Sequence, residues 1–592
     1  MNKKILILIC FALLFVSSNS DSKTDKSKVS IAFNQLLDNY YEDGLKLNPL
    51  IATFVGESRY NNSFPNILSD AYKNKTKTYY VDYLEKITQI NDKDLTESEK
   101  ISKAVLKWEC DINLKRLTFR QDLFPINQIG SINLFVEIFA SGSSAQPFDT
   151  VEDYNNWLER LEGYLEWMAS AESKMKSGIE LGYVLPKSLI VKIIQQLESF
   201  TVEDPDKHPF YRPVMNIPES FTNDEKKKLT EAYTQMLFQK IIPAYKNLHQ
   251  FMSTDYLEAG RETSGISDIP NGKAYYEYLI KEYTTTNMTA DEIHQLGLNE
   301  VARILSEMEK VKAEVGYTGD LKSFFNYVRN NKELMPFTKP QQVLDHFNAI
   351  HARMKPQLEK LFDLKPKTTF EVRRIEAFRE KTASAHYFPG SLDGTRPGIF
   401  YIPIPEVTKY NNFYDETLFL HEAIPGHHYQ MSLAQENVDL PKFQKVLWYG
   451  SYLEGWALYT ESLGKELGLY TDPYQYFGML SMEMHRAIRL VVDVGIHSKG
   501  WTREQAIQYS LNHEAESEAS IISEIERYMA DPGQALSYKI GQLKIRELRT
   551  KAEKELGDKF DIRQFHNQVL ETGYVPLAIL EDKINNWIVS CK

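Results

Sequence analysis

Thr289-Ala-Asp-Glu-Ile-His-Gln-Leu-Gly-Leu-Asn-Glu-Val-Ala-Arg-Ile-Leu-Ser-Glu-Met-Glu-Lys-Val311 is the stretch whose pattern decides the fold class. Thr289 and Glu292 have the spacing of a capping box, in which each side chain accepts the other residue's backbone N–H. Ile293, Leu296, Val301, Ile304, Met308 and Val311 then recur every three to five residues, which lays one apolar stripe along a helix. Outward in both directions the same pattern returns, around Tyr154–Met175, Asp224–Met252, Pro340–Phe362 and Leu543–Leu556. The expected class is mainly α.

Three segments depart from it. Thr201–Pro218 and Ala259–Lys273 are rich in Pro, Gly, Asp and Ser and read as loops connecting lobes. Between Thr368 and Pro405, Phe370-Glu-Val-Arg-Arg-Ile375 alternates and Ile399-Phe-Tyr-Ile-Pro-Ile404 is β-prone, with Pro389-Gly390 and Asp393-Gly394 between them. A small β-hairpin or short sheet is expected there.

Composition narrows the function. The chain has 592 residues, 42% apolar, 12% aromatic and 25% charged, the balance of a water-soluble protein with a large core. Its 81 acids against 69 Lys and Arg give a formal charge of −12, so no basic field exists to attract nucleic acid. At the N-terminus Lys3 and Lys4 precede the apolar run Ile5–Val16 and the small residues Ser17–Ser20. That order is a signal peptide, and twelve apolar residues fall short of the ~20 needed to span a bilayer as a helix. The expected organisation is a signal peptide over 1–20, a polar tether over 21–28, an N-terminal helical lobe over 29–365 and a C-terminal catalytic region over 366–592. The mature chain is expected to be exported, periplasmic or extracellular, with no transmembrane segment. Cys10 sits inside the apolar run after Ile9, a poor site for lipoprotein processing, so lipid anchoring is disfavoured. Cys110 and Cys591 alone remain, too few for a thiolate cluster. A metal must rely on His and carboxylates.

His386, His421, His427, His428, His485, His497 and His513 crowd one stretch of the C-terminal half. Within it stands His421-Glu-Ala-Ile-Pro-Gly-His427-His428. In zinc peptidases the form is H-E-x-x-H, because residues four apart share a helix face and two imidazoles can hold one ion. Here Pro425 takes the fourth place. On an unbroken helix His427 faces away from His421, and His428 faces the same way but about 10.5 Å further along at 1.5 Å per residue. Pro425 has no N–H for the His421 carbonyl and costs roughly 3 kcal/mol inside a helix, while Gly426 permits φ values closed to other residues. A local bulge that returns His427 to His421 is therefore expected, with His428 the alternative ligand. Glu454 and Glu461, seven apart on one expected helix, offer the third donor. Glu454 is preferred, although Ser451-x-x-Glu454 is also a capping-box spacing. Glu461 is then the alternative ligand, or orients a histidine.

His421-Glu-Ala-Ile-Pro-Gly-His-His-Tyr-Gln430 followed by Glu454-Gly-Trp-Ala-Leu-Tyr-Thr-Glu461 resembles the bacterial DUF885 family. Asp393-Gly-Thr-Arg-Pro-Gly398, Arg489-Leu-Val-Val-Asp493-Val-Gly-Ile-His497 and Pro532-Gly-Gln-Ala-Leu-Ser-Tyr538 extend the likeness over roughly residues 30 to 590. The resemblance implies a gluzincin-like, two-lobed helical metallopeptidase or carboxypeptidase fold with a deep groove. The family's H-E-x-x-P-G-H pattern falls on His421, Glu422 and His427, with Glu454 in the E-G-W-A segment.

Two imidazoles and a carboxylate suit one Zn²⁺ per chain with an open position for water. The expected function is an exported zinc-dependent peptidase, a carboxypeptidase or oligopeptidase of short peptides, with Glu422 as general base. Tyr538, His497 and His513 are candidates to stabilise an oxyanion. Arg489, Asp493 and His497 share one helix face, so Arg489 is a candidate for a substrate carboxylate, and Arg527 likewise. Tyr387, Arg396 and Tyr401 would line a strand edge that pairs with an extended peptide. A metal-dependent amidase or esterase, or a non-catalytic metal- or peptide-binding protein, is the alternative. Monomer and dimer are both compatible with the sequence.

Overall fold

Helix follows helix from Lys28 to Cys591, interrupted by one three-stranded sheet, in a computed structural model describing residues 28–142, 144–376, 380, 383–391 and 396–592. The leader, Cys10, nearly all of the tether and the Asp393-Gly394 pair lie outside those residues. The protein is mainly α.

The Thr289 cap forms as the spacing predicts: Thr289 N–H donates to Glu292 at 2.8 Å and the hydroxyl accepts from Glu292 N–H at 3.3 Å. The helix it starts, Ala290–Glu314, buries Ile293, Val301, Ile304, Met308 and Val311. Its partner is the long helix Pro473–Lys499, and the two approach closely at Gly297, where a Cβ would lie 2.7 Å from the Leu490 Cβ. The expected helices occur as Val151–Leu181, Pro340–Leu361 and Ser537–Leu556. The stretch expected at Asp224–Met252 is Asn223–Met236 and Ile242–Phe251, joined by a π-helical turn over Leu237–Ile241 just before Pro243, which has no N–H to continue the regular ladder.

Strands β1 (Phe370–Arg374), β2 (His386–Phe388) and β3 (Gly398–Ile402) form a sheet in the order β1-β3-β2. β3 pairs parallel with β1 and antiparallel with β2, where Tyr387 stands opposite Phe400. The central strand is the apolar one, because both of its edges are paired and Phe400 and Ile402 pack into the core with Phe347 and Phe419.

Buried apolar side chains fall into two large clusters and a small one among the described residues. One large cluster unites Phe33–Cys110 with residues from Leu189 to Ile588 and so runs across the boundary drawn at 365/366. The other is built from residues between Phe64 and Tyr256, with Trp157, Tyr164, Phe210 and Tyr245 at its centre. Thr201–Pro218 does not pass between the two: Phe200 and Phe210 sit in the second cluster, as do Leu197 before them and Leu229 after them. Its Pro residues mark a loop folded back onto one core, not a connection. Ala259–Lys273 does cross, from Tyr256 in one cluster to Ile266 and Ile269 in the other.

Candidate metal centre

The motif occupies two short helices, Asp415–Glu422 and His427–Glu436, separated by a turn. The first ends as Ala423 leaves helical geometry at φ −106°, ψ −104°, and the Ile424–Pro425 peptide is cis. Gly426 has φ −75°, so it is not needed for a left-handed conformation. Close approach is what requires it: a Cβ there would lie 1.9 Å from the His421 carbonyl oxygen. That contact folds the second helix back over the end of the first.

A third helix, Gly450–Glu461, completes the centre and does most of the positioning. Glu454 points at both imidazoles, its Oε2 3.4 Å from His421 Nε2 and 3.6 Å from His427 Nε2. Trp456 Nε1 donates to the Pro425 carbonyl at 2.8 Å and Thr460 donates to the Leu420 carbonyl at 2.9 Å, satisfying oxygens that the kink deprives of helical partners. Glu461 accepts from His421 Nδ1 at 2.7 Å and from the Thr417 hydroxyl at 2.9 Å, which turns His421 Nε2 toward Glu454. The helix can reach this far in because Gly455 meets Gly541 of the Ser537–Leu556 helix, where a Cβ on Gly455 would stand 2.5 Å from the Gly541 Cα. Ser451 lies inside the helix and its hydroxyl pairs with Thr285, so the alternative of a Ser451–Glu454 capping box does not form.

One donor atom each from His421, His427 and Glu454 lies within 4.8 Å of the others. Around a four-coordinate ion with bonds of about 2.0–2.2 Å, neighbouring donors stand about 3.4 Å apart, close to both carboxylate–imidazole distances. The rings of His421 and His427 are perpendicular, with centroids 4.8 Å apart. His427 Nδ1 is buried without a hydrogen-bond partner among the described residues. Burial depresses the His421 pKa, but its bonds to Glu454 and Glu461 outweigh that and raise it to about 10. Burial likewise raises Glu454, yet the two histidines hold its carboxyl well below the usual range. The centre therefore draws positive charge inward, and a divalent cation can supply it in place of the proton. This donor set fits Zn²⁺.

Glu422 closes the first helix beside the centre, and its Oε2 accepts the Tyr387 N–H of β2 at 2.9 Å. Tyr538 also borders it: the Glu454 charge, then burial, raises the phenol pKa, and the Arg489 guanidinium lies 4.5 Å from the Tyr538 ring centre. His428 turns away from the cluster to the sheet, where its Nδ1 is 2.9 Å from the Tyr387 hydroxyl.

Other candidates lie elsewhere. His497 is fully buried, its Nδ1 accepting from Ile266 N–H at 3.0 Å and its Nε2 donating to the Tyr528 carbonyl at 3.0 Å, so no nitrogen is left to meet an oxyanion. Asp493 accepts from the Tyr276 hydroxyl at 2.6 Å and from Gly533 N–H, and burial raises its pKa to about 7. Arg489 and Arg527 converge on Glu524 at 3.0 and 2.9 Å, not on an open surface. His513 stacks on Tyr509 and bonds the Tyr509 carbonyl. Tyr401 stacks on His386, opposite which it pairs, and so lies on the face of the sheet away from Tyr387. Arg396 sits over the Phe388 ring on that same outer face. Thr417, Trp456, Thr460 and Gly541 were not anticipated. A helical spacing of Glu454, Trp456, Thr460 and Glu461 was the available signal, but which carbonyls they serve depends on the kink.

Residues 49–584 match the profile of DUF885, described as a bacterial protein of unknown function. Among solved structures the chain is similar to a protein of Colwellia psychrerythraea described as a candidate lipoprotein, with 28% identity, a TM-score of 0.85, and coverage of 95% of this chain and 100% of that one. It is also similar to a candidate lipoprotein of unknown function from Shewanella oneidensis, with 20% identity, a TM-score of 0.75, and coverage of 93% and 99%, a likeness of fold alone. No curated protein matches it.

Proposed function

The chain belongs to the DUF885 family, and we propose that this member is an exported zinc-dependent hydrolase of short peptides. The observation that carries the proposal is the convergence of His421, His427 and Glu454 with the Glu422 carboxylate alongside. When bound, Zn²⁺ supplies Lewis acidity that polarises a carbonyl and acidifies a water. Glu422 then acts as general base: its Oε2 already accepts the Tyr387 N–H, so Oε1 takes the proton of the attacking water and returns it to the leaving amine. Tyr538, a phenol protonated at neutral pH, donates its hydroxyl as a hydrogen bond to the developing oxyanion.

β2 supports a peptide rather than another acyl substrate. His386 and Phe388 face β3 with their backbone groups, so the N–H and C=O of Tyr387 both point away from the sheet on the side of Glu422. With the Tyr387 N–H held by Glu422, an extended backbone can add there through the Tyr387 carbonyl, its scissile carbonyl near the centre. Both similar structures are described as candidate lipoproteins, which favours export of this chain and makes acylation at Cys10 the alternative to a cleaved, free form. The test is zinc content of the purified mature chain together with hydrolysis of a peptide panel, before and after chelation. One zinc per chain and chelator-sensitive cleavage are expected; an ester- or amide-specific enzyme cleaving no peptide would overturn the peptidase assignment.

A further inference from the structure

Adjacent residues on a helix diverge by about 100°, so the side chains of His427 and His428 cannot meet one ion. His427 turns to Glu454, and His428 turns the other way, against both outer strands of the sheet. Its ring lies 5.0 Å from that of Phe370 on β1, and its Nδ1 is 2.9 Å from the Tyr387 hydroxyl on β2. Tyr387 is at the same time the residue whose N–H is bonded to Glu422. Side chain and backbone of one residue thus tie the helix that carries His427 to the carboxylate that ends the preceding helix.

β3 is shaped to admit this contact. Gly398 lies under it, and a Cβ at that position would stand 2.3 Å from the Tyr387 hydroxyl and 2.6 Å from His428 Nδ1. Tyr387 Oη and His428 Nδ1 meet only because that side chain is missing. β2 has three residues and an outer edge with no further strand among the described residues, so its own ladder holds it weakly. The Tyr387–His428 pairing adds a side-chain tie beside the backbone bond from Tyr387 N–H to Glu422.

We propose that His428 and Tyr387 form a positioning pair that holds the outer edge of β2 against Glu422, keeping an extended peptide backbone in register with the zinc-binding centre. Neither side chain touches the ion. The peptide-binding half of this proposal rests on the hydrolase reading above; the strand-positioning half does not.

Three variants test it: Tyr387→Phe and His428→Gln remove one partner each, and Gly398→Ala wedges the two apart while leaving both in place. In the zinc-loaded full chain, amide hydrogen exchange over residues 384–390 should quicken at least tenfold in all three. Zinc affinity, measured by chelator competition, should stay within twofold of the parent. Affinity for a phosphinic pseudotripeptide should fall about tenfold. Unchanged exchange in Tyr387→Phe and Gly398→Ala would overturn the positioning pair, whatever happens to His428→Gln. Faster exchange with unchanged inhibitor affinity would overturn the link to substrate. A parent protein that binds zinc but not the inhibitor would instead break the hydrolase reading, and the exchange measurement would still decide the pair.

Discussion

Among the clusters of buried charge in the C-terminal half, two are built differently. At His421–His427–Glu454 the donors point at a common centre, with the carboxylate 3.4 and 3.6 Å from the two imidazoles, longer than an ordinary hydrogen bond and suited to an ion. At His485–Arg489–Glu524 the groups instead consume one another. His485 bonds Glu514 at 2.6 Å through Nδ1, and its Nε2 lies 3.1 Å from Arg489. Glu524 takes Arg489, Arg527 and the Tyr528 hydroxyl at 2.7 to 3.0 Å. Arg489 Nη1 alone of that guanidinium's nitrogens is left over. As lists of residues both set histidine beside glutamate. The first keeps lone pairs in a shared direction, as the proposed metal centre requires; the second is a brace.

The sharpest way to break this comparison is Glu422→Gln. Zinc should stay bound while peptide turnover falls by about 10²–10⁴, the usual worth of a general base, as read from kcat with zinc analysis in parallel. In the brace, Glu524→Ala strands two guanidinium groups and should destabilise the fold by roughly 3 kcal/mol in urea denaturation, with zinc affinity unchanged. Loss of zinc in that variant would erase the distinction drawn here. Glu461→Gln should weaken zinc binding about 10–100-fold in chelator competition, because His421 loses the partner that aims it.

A separate effect is expected on the pH dependence of stability. His421 has a folded pKa raised to about 10, so in zinc-free protein its contribution is full below about 6.5 and is lost as pH rises toward 10. His497 and His566 behave oppositely: burial lowers both to about 3, so they destabilise the fold as pH falls from about 6.5 toward 3. Zinc should flatten the alkaline limb only, since the ion displaces the His421 proton. Urea midpoints across pH, with and without zinc, check all of this.

Much of the centre is legible in residue spacing alone. His421 and Glu422 stand as a pair, Pro425 rules out the regular motif, and Glu454 and Glu461 share a face. Local pattern failed where bonding partners come from far along the chain. Arg489, Asp493 and His497 read as one functional face, yet their partners are Glu524, Gly533 and Ile266, each brought in by a different segment. Gly426 was read for conformational freedom, whereas its role is to let a carbonyl come close.

By itself the sequence determined that the chain is a helical protein with a broken His-Glu motif, because helical periodicity and the missing N–H of proline act within a few residues. Only the tertiary structure decided which atoms face the centre, since the return of His427, the depth of Glu454 and the turning of His428 to the sheet depend on close backbone approaches at Gly426, Gly455 and Gly398 between segments distant in sequence.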